Sequence, residues 1–179
     1  MNLPQQLQEF LKYPLLQVSD VNTGLPADEK TFDRLGQATL ITFLAGLYKV
    51  TRSKESAVTV SSQSDPQQLL QIIFNGEEEM NTIAAYADQP INVVKVKIAE
   101  VSAGYLGLMQ QQPVEETQGA DYLLNLLTAE RHEILRYVPI GLKLGELLND
   151  GSLEDNTNKM EGPVSSLMHK IENAFSKSD

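Results

Sequence analysis

With 179 residues the chain is long enough for one domain with its own core, and 41% apolar against 21% charged residues exclude a fibrous repeat or pervasive disorder. A net charge of −10 opposes nucleic-acid phosphates and anionic lipid surfaces, whose binding relies on clustered Lys and Arg. The lack of cysteine excludes disulfides, thiolate metal sites and cysteine nucleophiles, and a core short of aromatics and without tryptophan suits helix-on-helix packing.

The opening MNLPQQLQEF has no basic n-region and no apolar h-region, so no secretory signal is expected and a cytoplasmic location is the default. Leu3, Leu7, Phe10 and Leu11 fall at helical spacing, and the Tyr13-Pro14 pair ends that first helix. Residues 28–48 form a long helix apolar nearly all round, which belongs in the centre of the fold, with Ala38, Thr42 and Ala45 as a small-residue stripe. SKESAVTV (53–60) carries both a helix start at Ser53 and strand-favouring Val58, Thr59 and Val60; it is read as helix. Asp65-Pro66 starts the next helix as N-cap and first-turn proline, Asn75-Gly76 ends it, and Glu77, Glu78 and Glu79 open another.

The clearest pattern is Ile91, Val94, Ile98, Val101, Tyr105 and Leu108, spaced 3, 4, 3, 4, 3 through a helix over 90–109. Its far side carries Val93, Val96, Ala103 and Gly107, so this helix too is expected in the centre, packed on the first long one. Coiled-coil assembly is the competing reading of that spacing, but one helix supplies too few heptads. No charge-free stretch reaches the ~20 residues that cross a bilayer.

Farther on, LLNLL (123–127) precedes AERHEILRYVPIGLKLGELL (129–148). Thr128 is read as the cap of a short helix, Pro139 as its stop, and Gly151 as the terminator of a second short helix, giving a corner. Residues 1–150 thus make a helical domain, 151–162 an acidic linker, and 163–177 an amphipathic helix presenting Val164, Leu167, Met168, Ile171 and Phe175. That face either docks on its own domain or holds a second subunit or another protein.

His132 and Glu133 resemble the opening of a zinc-protease helix, but the position four after His132 is Arg136, so the second imidazole is missing. The only other histidine, His169, lies across the linker. On a helical wheel His132, Glu133 and Arg136 oppose Ile134, Leu135 and Val138, which makes them a solvated face with a Glu133–Arg136 ion pair; they remain the only weak catalytic candidates. Gly141-Leu-Lys-Leu-Gly145 contains a charge and is no membrane GxxxG motif. Consecutive Glu77–Glu79 point in different directions and do not converge on a cation. With no Gly-rich phosphate cradle either, no cofactor or metal is expected.

Residues 123–148, with their leucine-rich helix, polar turn, second helix and Pro-x-Gly-Leu step, resemble the YidB-like family of bacterial domains of unknown function. LGQATLITFLAGLYKVTRSKESA (35–57) and AGYLGLMQQQ (103–112) fit the same pattern. The resemblance implies a compact array of short and long helices and assigns no catalytic residue.

The expectation is an all-α fold, about seven to nine helices around two central apolar ones. As a function, a non-enzymatic interaction or scaffold domain is expected, with a protein partner or self-association through the C-terminal helix, and no nucleic acid or membrane. The alternative is a small enzyme or ligand-binding bundle, which requires a sizeable pocket holding at least two of Glu100, Tyr105, His132, Glu133 and Arg136. Peripheral membrane attachment through 163–177 is the weakest alternative.

Overall fold

The computed structural model describes residues 1–18, 33–74, 76–111, 119–139 and 141–150. Among them are eight α-helices and no strand: α1 (Leu3–Leu11), α2 (Arg34–Val50), α3 (Lys54–Ser61), α4 (Pro66–Ile73), α5 (Glu78–Ala87), α6 (Ile91–Gln110), α7 (Gly119–Arg136) and α8 (Leu144–Leu147). The predicted linker and C-terminal helix, with Val164, Leu167, Met168, Ile171 and Phe175, lie outside the described residues, as do positions 28–32; the first long helix, expected from 28, starts at Arg34 after the Asp33 cap.

Local chemistry sets the helix starts. The side chains of Asn2, Asp33, Ser53 and Asp65 accept hydrogen bonds from the backbone N–H groups of Gln5, Gly36, Ser56 and Gln67, satisfying donors that a helix N-terminus leaves free. The Ser53 cap resolves the mixed signal of 53–60 in favour of helix; Ala57 and Val60 are buried, while Val58 and Thr59 face out. At the other end of α1, Lys12 adopts a left-handed conformation (φ 57°), and the N–H of Tyr13 reaches the Gln8 carbonyl at 3.0 Å. A Schellman turn therefore closes α1 before Pro14 does.

The two long helices pack on each other at the middle of the array. Every residue of α2 from Gly36 to Leu47 is buried, and α2 packs against α1, α4, α5, α6 and α7. From α6, Val94, Ile98, Val101 and Tyr105 enter the same core, and the Tyr105 ring meets that of Phe43 with centroids 5.5 Å apart. A tight spot lies at Gly46: a Cβ there would stand 2.5 Å from Ile73 Cγ2 of α4, so only glycine lets the two helices approach this closely. Within the small-residue stripe Ala38, Thr42 and Ala45 are fully buried, and among the described residues the Thr42 hydroxyl finds no partner. Thr42→Val removes that unsatisfied group at nearly constant volume; a gain of about 1 kcal/mol in unfolding free energy by urea denaturation is expected.

Two expectations need correction. The far side of α6 is not central: Val96 is 71% exposed, and Val93 and Ala103 also face outward. The buried 3-4 stripe already fills the space against α2, and Lys95 and Glu100 keep the opposite face wet. The second concerns 119–136, which form one 18-residue helix, with Thr128 exposed inside it and not a cap. Leu123, Leu127 and Ile134 stay in phase along one buried face, so an exposed threonine costs only its small helix-propensity penalty. After it α7 stops before Pro139 as expected, Gly141 turns the chain at φ 88° and the short α8 follows, while the predicted terminator Gly151 lies outside the described residues.

Candidate functional site

The histidine–glutamate stretch lies on α7, and Glu133 within it bonds to neighbouring side chains. His132 and Arg136 are exposed on α7, and Glu133 lies 3.6 Å from the Arg136 guanidinium, as the wheel predicts. Glu133 Oε2 also accepts a shorter bond, 2.7 Å, from Asn2 Nδ2, while one turn earlier Glu130 Oε2 accepts the Leu3 N–H at 3.0 Å. Two carboxylates thus hold the N-terminus of α1, where free N–H groups and the helix dipole favour negative charge. Gln5 adds a bond to the Tyr137 hydroxyl at 3.1 Å. Glu130→Ala with Glu133→Ala is expected to lower unfolding free energy by ~1–2 kcal/mol and to raise amide exchange selectively in α1. Unchanged exchange there would contradict the clasp.

Glu100 is likewise engaged elsewhere. It pairs with Lys97 at 3.3 Å, and the Lys97 ammonium sits 3.7 Å from the centroid of the Tyr13 ring. Among the described residues no group of three His, Asp or Glu is arranged to hold a metal ion, and no helix is long and apolar enough to cross a membrane.

A cavity of about 610 Å³ opens where α3 lies along α7, beside the C-terminal end of α6. Val60, Tyr105, Leu106 and Leu123 form its buried wall, while Val58 and Tyr122 stand half-exposed at its edge. Ser61, Ser62, Gln63 and Gln110 supply uncharged polar groups. No described residue of the lining carries a charge; the nearby ion pair of Lys54 with Asp121, 3.1 Å, lies outside it. Of the five groups the sequence offered for a pocket, only Tyr105 is here. The others are dispersed over α6 and α7, so the required pair is not assembled.

Tyr105 joins core to cavity. It is 2% exposed, its ring held against Phe43, and among the described residues no hydrogen bond reaches its hydroxyl. Burial, followed by the Tyr122 phenol, pushes its ionisation far above the ordinary value of 10.0; burial, followed by the Glu100 carboxylate, does the same for Tyr13. Above pH 10.0 both phenols stay protonated when folded but release protons when unfolded. Their contribution to stability is thus intact below pH 10.0 and is lost as the pH rises above it toward the raised folded values. Urea midpoints measured between pH 8 and 11, roughly spanning the tyrosine range, should fall at the alkaline end, and less steeply for Tyr105→Phe.

The walls of this cavity were missed in the sequence because they come from three helices distant in the chain. The one available signal was the run of uncharged polar residues from Ser61 to Gln63 facing, across the fold, another at Gln110. Compared with protein-family models, curated proteins and solved structures, the chain matches none.

Proposed function

We propose that the chain is a non-enzymatic helical interaction domain that receives an uncharged, apolar group in the cavity between α3, α6 and α7. The single observation supporting this reading is the cavity wall: sizeable, apolar at its base, and without a charge among its described lining. A site of this volume falls in the ~300–1,000 Å³ range of ligand pockets, while Glu100, Glu133 and Arg136 are engaged in helix contacts and ion pairs. The segments that resemble the YidB-like family, 35–57, 103–112 and 123–148, include the start of α3, the end of α6 and most of α7, so membership in that family forms part of the proposal.

The test uses a neutral apolar dye, N-phenyl-1-naphthylamine, whose emission rises in a dry site. Saturable one-site binding is expected, with Met109→Trp, which fills the cavity, weakening it at least tenfold. Emission that does not saturate, or that Met109→Trp leaves unchanged, would overturn the reading.

A further inference from the structure

The cavity also restricts what it accepts. Its described lining offers no counter-ion, so a carboxylate or ammonium entering it would lose water without compensation. Pure hydrocarbon is disfavoured for a different reason. The Tyr105 side chain, almost fully buried and fixed by Phe43, lines the cavity, and among the described residues its hydroxyl has no hydrogen-bond partner. Hydrocarbon filling the space would shut water away from that donor and leave it unpaired. Tyr122 lines the cavity as well, which puts a second phenol on it.

Resting on the proposed receiving role of this cavity, we infer that its occupant is a small neutral amphipathic molecule: an apolar body bearing one uncharged acceptor, such as a ketone, ester or amide carbonyl, that takes a hydrogen bond from Tyr105. A site that offers an unpaired donor to its occupant discriminates against analogues lacking the acceptor, because their binding takes water from the donor and leaves it bare. Gln110 then serves a second, weaker polar point on a larger ligand, since the donors of Ser61 and Gln63 already bond the Val58 and Thr59 carbonyls.

Four probes of similar size separate the possibilities: acetophenone, ethylbenzene, benzoate and benzylammonium, each titrated into the full chain with isotope-labelled methionine methyls. Met109 lines the cavity and reports occupancy. Acetophenone is expected to move its methyl signal saturably, with the two ions binding at least tenfold more weakly. Tyr105→Phe should weaken acetophenone about fivefold and leave ethylbenzene unchanged or tighter. Equal binding of either ion, or equal loss of ketone and hydrocarbon in Tyr105→Phe, would overturn the inference and leave the receiving role standing. If none of the four moves the Met109 methyl, the receiving role itself fails. The comparison of ions with ketone needs no variant, so it holds even if Tyr105→Phe disturbs folding.

Discussion

Replacing Phe43 with alanine is expected to lower the unfolding free energy by about 3–5 kcal/mol, the range for deleting a fully buried aromatic ring. Phe43 has no exposed surface, sits on the most buried stretch of α2, and meets Tyr105 of α6. Two losses combine: the apolar surface returned to water, and a void that the surrounding Leu and Ile side chains fill only partly. The tilted ring pair, with an interplanar angle of 59°, adds a specific component of ~0.5–1.5 kcal/mol. A double-mutant cycle with Tyr105→Leu isolates it, because a contact between the rings produces non-additivity where separate sites would simply sum. A loss below ~1 kcal/mol for Phe43→Ala, the level of an ordinary surface change, would contradict its central position.

Gln37→Leu is the second large effect expected, about 2–4 kcal/mol, from polar rather than apolar causes. Gln37 is only 4% exposed. Its Nε2 donates to the carbonyls of Gln17 and Tyr137, both at 2.8 Å, and its Oε1 accepts the Gln17 N–H at 2.8 Å. One amide thereby ties the segment after α1 and the corner after α7 to the central helix. Leucine matches its bulk but leaves three backbone groups without partners in places of limited water access, and each unmet group costs more than its bond contributes. Gln37→Glu keeps the acceptor, loses both donated bonds and adds a buried charge, so it should be no milder. Denaturant midpoints of the two variants check this ordering.

These two residues show what the sequence could disclose. Phe43 is legible, because a helix apolar around its whole circumference has only one stable place in water, the interior. Helix starts are legible for a related reason: Ser53 and Asp65 each act on a backbone N–H within three residues. Gln37 is not legible. Its partners lie 20 and 100 residues away, and nothing local distinguishes it from a solvated glutamine. Glu130 and Glu133 pose the same difficulty, since the wheel finds the bond to Arg136 but not those to the far end of the chain. The continuity of α7 was lost for a subtler reason: Thr128 has the chemistry of a cap, and only the shared phase of Leu123, Leu127 and Ile134 shows that the helix runs through it.

The cavity combines both kinds of information. Tyr105 belongs to a periodic stripe that identifies it as core, yet the same ring also lines a concavity whose other walls come from α3 and α7. Periodicity records that a position is covered but not what covers it, and a gap between three helices is not set by the pattern of any one of them. Its uncharged wall is therefore a property of the assembled fold.

Both the packing of the two long helices and the base of the cavity depend on where Tyr105 sits. Selective labelling of the 5 phenylalanines and 6 tyrosines makes their ring protons assignable. A nuclear Overhauser experiment between the rings then measures the contact directly. Cross-peaks between Phe43 and Tyr105 ring protons are predicted, given centroids 5.5 Å apart; their absence in the folded protein, with both rings assigned, would contradict the account.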